Sequence, residues 1–93
     1  MKESTIEQSV CRYAREHGIL AWKLTSPGNR GVPDRMFLGG KGHVVFIEFK
    51  RPGKAATPLQ AKRGRELMER GFAWYCVDNS DVGCDILRKE YGI

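Results

Sequence analysis

The residues best suited to chemistry in this sequence are two acids and a lysine at the ends of two short apolar runs. Asp34 opens the first run, and Glu48 and Lys50 close the second, in Ile47-Glu48-Phe49-Lys50. The two-residue period of an extended chain predicts that Glu48 and Lys50 lie on one face of the second run. An acid and a base at a strand end can also simply mark where the strand leaves the core, so position alone decides no function.

The glycine-rich link Gly39-Gly40-Lys41-Gly42 predicts a hairpin that brings the two runs together. If the turn centres on Lys41, partners lie at equal distances from it along the chain, so Asp34 faces Glu48. Directly opposed positions lie about 5 Å apart at Cβ, where two negative charges repel each other. A cation between the carboxylates would remove this repulsion, and a metal ion is the simplest candidate. A bulge among the glycines would shift the register by one residue.

The predicted carboxylate pair favours a particular kind of metal ion. Oxygen ligation by Asp34 and Glu48, with a backbone carbonyl near Phe49, is typical of Mg²⁺ or Mn²⁺ rather than zinc. Lys50 would then stand beside the metal, where an ammonium group can orient or help to deprotonate a water and stabilise charge on a phosphate. The chain has 16 Lys and Arg against 11 Asp and Glu, a formal charge of +5 that favours a polyanionic partner. Together these features indicate phosphodiester hydrolysis.

The elements that position these residues follow from periodicity and capping signals. Apolar residues at helical spacing predict a first helix over residues 5–17, with an S-x-x-E capping box formed by Ser4 and Glu7. Thr57 and Gln60 form a T-x-x-Q box that begins a second helix over residues 58–70. Strands are predicted over residues 19–25, 34–38, 43–50 and 72–77, and a final helix ends near Tyr91.

The resulting order, α-β-β-β-α-β-α, predicts an α/β fold with a mixed central sheet flanked by helices. The strand, helix and strand over residues 43–77 form a βαβ unit, which implies a parallel pair beside the antiparallel hairpin. A chain of 93 residues has room for one core, so we expect one domain over residues 1–93. Trp22 and Trp74 lie in predicted strands and are expected in that core.

Composition narrows the class of protein further. Hydrophobic residues make up 41% of the chain, enough for a packed core. No apolar run approaches the roughly 18 residues that a membrane span needs, and the charged beginning of the chain is unlike a signal peptide. We therefore expect a bacterial cytoplasmic protein, or one in the host cytoplasm if a phage encodes it. The three cysteines contain no CxxC pair, which argues against a disulfide framework and a Cys-based zinc site.

The motifs described above resemble those of a known group of enzymes. Gly31-Val32-Pro33-Asp34 followed by Ile47-Glu48-Phe49-Lys50 looks like the PD-(D/E)xK nuclease signature. More narrowly, the acid in the first helix, the G-x-P-D loop, the I-E-x-K strand and Gln60 after a small-residue cap resemble the VRR-NUC family, the virus-type replication-repair nucleases. A short PD and ExK pair arises often by chance, but this likeness spans nearly the whole chain in the right order.

The resemblance implies a restriction-endonuclease-like fold and a nuclease in which Asp34 and Glu48 bind a divalent metal. Lys50 matches the motif lysine, and Glu7 matches a helix-borne acid that supports the metal site in many relatives. Capping explains Glu7 equally well, and it also explains Gln60, although Gln60 would be well placed to hold a phosphate or the attacking water. Small stand-alone members of phages and bacteria look like homodimeric nucleases related to Holliday junction resolvases.

These observations lead to a hypothesis of an Mg²⁺- or Mn²⁺-dependent endodeoxyribonuclease that acts on branched DNA, such as four-way junctions, in DNA repair. An exposed sheet edge and symmetric cutting of two strands favour a homodimer. No organic cofactor and no membrane partner are expected. The alternatives are a nuclease for flapped, nicked or linear DNA, and a non-catalytic nucleic-acid-binding module of the same fold. The basic candidates for phosphate binding, considered as a set, are Lys23, Arg30, Arg51, Lys54, Lys62 and Arg63.

Overall fold

Three helices and four strands follow one another in the order that the sequence predicts. The computed structural model describes residues 1–93, and a short 3₁₀ turn, Gly40–Gly42, joins the second and third strands. None of the helices is both long and apolar enough to cross a membrane. The elements are α1 (Glu3–Glu16), β1 (Leu20–Lys23), β2 (Arg35–Leu38), β3 (Val44–Phe49), α2 (Pro58–Glu69), β4 (Ala73–Val77) and α3 (Ser80–Tyr91).

The four strands form one mixed sheet in the order β1-β2-β3-β4. The β1–β2 and β2–β3 pairs are antiparallel, and β4 runs parallel to β3 across the α2 connection. Met36 pairs with Phe46, which confirms the register centred on Lys41. Lys41 and Gly42 both have left-handed backbone, with φ of 60° and 73°, and that local geometry closes the hairpin without a shift of register.

The two faces of the sheet are covered differently. On one face, Val45, Ile47 and Phe49 of β3 point into a fully buried core that α1 and α3 close. On the other face, α2 packs against β4, where a Cβ on Gly64 would lie only 2.4 Å from the Trp74 ring. Glycine at position 64 therefore lets α2 approach the sheet closely. This covers the β4 side of the face and leaves the β1 side open.

Trp22 is therefore not in the core as predicted. It is 56% exposed, because α2 covers β4 and no element packs over β1 on that face. Trp74, which packs against α2, is half-buried as its strand position suggests. Burial of the two tryptophans thus depends on where α2 lies, which the strand pattern does not encode.

The capping predictions have opposite outcomes at the two helices. In α2, the Thr57 hydroxyl accepts from the Gln60 N–H at 3.2 Å, and the Gln60 side-chain oxygen accepts from the Thr57 N–H at 2.9 Å. In α1 the predicted box is wrong: the helix begins at Glu3 after Lys2, and no side chain caps it. Glu7 therefore lies in the second turn of the helix, and its carboxylate accepts from basic side chains of the sheet instead of capping the helix.

Candidate active site

Asp34 is held at the end of the β2–β3 ladder. The ladder stops at the Arg35–Ile47 pair, and one residue earlier the Asp34 carboxylate accepts a hydrogen bond of 2.9 Å from the backbone N–H of Phe49. The Asp34 carbonyl also accepts from the N–H of Leu24 at 2.9 Å. The Asp34 side chain thus accepts a hydrogen bond from β3 just beyond the last backbone pair between β2 and β3. This hydrogen bond fixes the Asp34 carboxylate beside the last residues of β3.

The loop that delivers Asp34 is fastened to α2. Gly31 has a φ of +82° and lies so close to α2 that a Cβ there would be 2.8 Å from Cγ of Leu59. The Arg63 guanidinium donates to the carbonyl of Arg30 at 2.9 Å. The start of β2 is therefore positioned by α2 as well as by its neighbouring strands.

Glu48 is a buried acid whose two oxygens are in different situations. Its side chain points to the α2 face, and the residue is 3% exposed. Oε2 accepts from the Gln60 amide nitrogen at 3.1 Å and lies 3.9 Å from Nζ of Lys50. Oε1 is buried and has no hydrogen-bond partner. An unpaired carboxylate oxygen in a protein interior is costly, so Oε1 is suited to accept a ligand.

The electrostatics of this pair disfavour two negative charges. Burial, followed by the neighbouring Asp34 carboxyl, raises the pKa of Glu48 to about 8, although the ammonium of Lys50 acts in the opposite direction. Near neutral pH, Glu48 ionises more readily when additional positive charge enters the site. The arrangement therefore has the electrostatic character of a cation-binding site.

The residues present fit a hard divalent cation. Asp34 and Glu48 offer adjacent carboxylate oxygens, one of them without a partner. No third His, Cys, Asp or Glu side chain joins them in a metal-binding cluster. A backbone carbonyl such as that of Phe49, together with waters, would have to supply the other ligands, which is usual for Mg²⁺.

Glu7 is not brought into this group. Its carboxylate accepts from Nε of Arg35 at 2.5 Å and from Nζ of Lys23 at 3.2 Å. Burial opposes its ionisation, but these two hydrogen bonds prevail and hold the pKa of Glu7 below its usual value. Glu3, one turn earlier in α1, is an acid whose charge contributes to raising the pKa of Glu48. Sequence reasoning missed Glu3, because only the packing of α1 brings it towards the sheet.

The basic candidates divide into paired and unpaired side chains. Lys23 pairs with Glu7, and Arg63 pairs with Glu66 at 3.0 Å. Arg51 follows Lys50 directly in the β3–α2 loop. Four of the six candidates are exposed and form no ion pair, namely Arg30, Arg51, Lys54 and Lys62. These four keep their full charge available for an anionic partner.

The chain is similar to known proteins in both sequence and fold. No protein-family model matches the sequence. The chain is 35% identical over 82 residues to "Putative nuclease p44" of Acyrthosiphon pisum secondary endosymbiont phage 1, with 88% of each chain covered. A solved "VRR_NUC domain" superposes with a TM-score of 0.86 at 24% identity over 98% of both chains. A solved "VRR_NUC domain protein" gives a TM-score of 0.74 at 19% identity over 97% of this chain and 88% of the other. With this fold and this relative, the chain belongs to the VRR-NUC family.

Proposed function

We propose that the chain is a divalent-metal-dependent nuclease that hydrolyses phosphodiester bonds within DNA. The observation that carries the proposal is the buried Glu48 beside Asp34, with one carboxylate oxygen that lacks a partner and a lysine at its other oxygen. The 35% identical phage relative is itself named a nuclease, which supports the same activity. We expect the protein to act in the bacterial cytoplasm, or in the host cytoplasm if a phage encodes it.

In this proposal Asp34 and Glu48 hold the metal, which is Mg²⁺ or Mn²⁺. When bound, the ion would supply positive charge that polarises the scissile phosphate and activates water. Gln60 donates to Glu48 at 3.1 Å and so keeps that carboxylate turned with Oε1 free. The Phe49 N–H does the same for Asp34 at 2.9 Å. Both acids are thereby oriented before any ligand arrives, which lowers the cost of assembling the site.

Lys50 is the side chain that we expect to meet the reacting phosphate. Its side chain is largely buried, with 16% exposed, and its ammonium nitrogen lies 3.9 Å from Glu48 Oε2. Hydrolysis forms a bond from water oxygen to phosphorus and breaks the bond to the leaving oxygen, which finally takes up a proton. An ammonium at this position can orient the water and stabilise the added negative charge on the phosphate.

We further propose that the nuclease is a homodimer that cuts branched DNA. The open side of the sheet carries what we call the apolar face, formed by Leu20, Trp22, Met68 and Phe72, all at least 40% exposed. It continues through the half-buried Met36, which pairs with Trp22. An apolar face of this kind, beside the edge strand β1, is typical of a protein interface. A two-fold dimer would present two active sites to one branched substrate.

The dimer is tested by mass in solution. Trp22→Glu places a charge in the apolar face and should give the monomer mass at micromolar concentration, where the original chain gives the dimer mass. Val82→Glu is the matched control, because Val82 is 49% exposed on α3, away from the apolar face. Light scattering that reports a monomer for the original chain would contradict the dimer.

The activity is tested with a labelled four-way junction and a linear duplex of the same sequence, each in Mg²⁺, Mn²⁺ and EDTA. We expect metal-dependent cutting of the junction, with Lys50→Ala as the control for a contaminating nuclease. Equal cutting of the linear duplex would remove the preference for branched DNA and retain the nuclease. Tight binding without any cutting would instead favour a non-catalytic nucleic-acid-binding module.

A further inference from the structure

A polar hollow lies on the exposed side of α1, outside the candidate active site. Its volume is about 610 Å³, and no apolar residue lines it. We call it the arginine hollow, because three of its six lining residues are arginines. The six lining residues are Thr5, Gln8, Ser9, Arg12, Arg15 and Arg35.

Only one of the three arginines in the arginine hollow has its charge paired within the chain, namely Arg35 with Glu7. No carboxylate lines the hollow, and Arg12 and Arg15 form no ion pair, whereas Arg63 and Arg88 each pair with an acid three residues away. Like charges at helical spacing i, i+3 destabilise a helix unless an anion lies between them. Hydroxyl and amide groups from Thr5, Gln8 and Ser9 add neutral hydrogen-bonding groups. The hollow is thus suited to an extended anion with several oxygens.

Arg35 links the arginine hollow to the candidate active site. It follows Asp34 directly, and Glu7 holds its Nε at 2.5 Å while its Nη1 donates to the carbonyl of Ala21 at 3.4 Å. Its cross-strand partner is Ile47, a core residue on the α1 face, whereas Glu48 points to the α2 face. The hollow and the acids are therefore neighbours along the chain but open on opposite faces of the sheet.

We propose that the arginine hollow binds the phosphate backbone of a second DNA arm while the scissile arm occupies the active site. The proposal rests on the proposed nuclease function and adds how a branched substrate is recognised. A straight duplex approaches a body of 32 × 31 × 21 Å from one side, so it would engage one face only. Two arms that diverge from a branch point can engage both faces, with Arg35 at the point of divergence.

The test measures binding in EDTA, so that it does not depend on catalysis. Arg12→Ala combined with Arg15→Ala should weaken binding of a four-way junction about tenfold or more. The salt slope, which is the slope of the logarithm of the binding constant against the logarithm of the salt concentration, should fall in magnitude by about two, because two phosphate contacts are lost. Binding of a matched linear duplex should change less than about twofold. The control is Lys41→Gln with Lys89→Gln, which removes the same charge from exposed positions at the hairpin turn and in the last turn of α3.

Two results would overturn the proposal. Unchanged junction binding in the double variant would show that the hollow holds no DNA. Equal weakening of junction and linear duplex would show that it contacts the same arm as the active site. The failure of the nuclease proposal is a separate observation, since it would appear as absent cutting with the difference in binding retained.

Discussion

A glutamate lies at each end of the sheet, the half-buried Glu90 of α3 at the hairpin end and the buried Glu48 of β3 at the other, and their hydrogen bonding differs. At the hairpin end, Glu90 accepts from Nε2 of His43 at 2.8 Å with one oxygen and from the Tyr75 hydroxyl with the other. At the opposite end, Glu48 has partners on Oε2 and none on Oε1. Both carboxylate oxygens of Glu90 thus have hydrogen-bond partners within the chain, whereas one oxygen of Glu48 has none.

This difference separates an acid that stabilises the fold from one that can accept a ligand. The Tyr91 hydroxyl has two carbonyl acceptors for its one proton, those of Phe37 at 3.1 Å and His43 at 3.0 Å, so α3 is attached to the β2–β3 hairpin. Glu48 is not enclosed in a comparable hydrogen-bond network, because its Oε1 has no partner, and its pKa is raised to about 8. A buried group with a perturbed pKa and an open oxygen is a candidate for function.

The largest effect that would sharpen this comparison concerns catalysis. Asp34→Ala and Lys50→Ala should each reduce junction cutting by about 10³-fold or more, because each removes a charged group from the reacting centre. Tyr75→Phe, at the other end of the sheet, should leave the cutting rate within about twofold. Initial rates in Mg²⁺, with circular dichroism to check folding, measure both. Full cutting by folded Asp34→Ala and Lys50→Ala would contradict the assignment of the active site.

The next effect concerns stability without metal. Burial and the Asp34 carboxyl give Glu48 a folded pKa of about 8 against an ordinary value of 4.5, so the folded state favours its protonated form. The stability that this provides is fully present below pH 4.5 and is lost as the pH rises through 8. Glu48→Gln should therefore be more stable than the original chain above pH 8, by an amount on the order of 2 kcal/mol, and nearly equal to it at pH 4.5.

Urea unfolding in EDTA at pH 4.5 and pH 9 measures this difference. Mg²⁺ should narrow the gap at pH 9, since an ion held by the carboxylates stabilises the folded original chain. A constant difference between the two proteins across this pH range would refute the assignment of the charge effect to Glu48.

A smaller effect is expected at the hairpin end. The hydrogen bond to Glu90, followed by burial, raises the pKa of Tyr75 to about 12 from an ordinary value of 10. The folded state favours the neutral phenol, so this stability is complete below pH 10 and is lost as the pH rises through 12. Tyr75→Phe should lower the free energy of unfolding by about 1 kcal/mol at pH 7. The free energy of unfolding of this variant should then fall less steeply at alkaline pH than that of the original chain. Thermal unfolding between pH 7 and pH 12 measures this difference. The same decrease in stability with rising pH in both proteins would count against a stabilising Tyr75–Glu90 hydrogen bond.

The smallest effect concerns the basic loop beside Lys50. Arg51→Ala should weaken DNA binding only severalfold and lower the salt slope by about one, as expected for one phosphate contact. Lys41→Gln, at the hairpin end, removes the same charge and should leave the slope unchanged. Titrations at several salt concentrations in EDTA provide the comparison. Equal slopes for the two variants would remove Arg51 from the binding surface.

The parts of the molecule that could be predicted are those with local signals. A period of two and a turn centred on Lys41 set the β2–β3 register, which brings Asp34 and Glu48 to the same end of the sheet. The Thr57 and Gln60 spacing likewise predicts the start of α2. These features depend on residues close in sequence, whose geometry the backbone itself restricts. The metal and catalytic roles of the acids stay predictions.

The parts that could not be predicted depend on how whole elements pack. The Glu7–Arg35 contact joins residues 28 positions apart and exists because α1 lies under β2. The exposure of Trp22 follows from the position of α2 over β4. The arginine hollow likewise appears only once α1 is placed against the sheet, because its arginines are spread between α1 and β2. No periodicity or capping signal encodes such placements.

The side-chain amide of Gln60 bridges a hydrogen-bond donor and a hydrogen-bond acceptor. The backbone N–H of Thr57 needs an acceptor and meets the amide oxygen, whereas Glu48 needs a donor and meets the amide nitrogen. The amide can therefore adopt only one of its two orientations. A glutamate at this position would preserve the helix start and repel the buried acid, and a methionine would fill the space and serve neither partner. Fraying of the first turn of α2 would therefore remove a hydrogen bond from the buried Glu48 carboxylate through this one amide group.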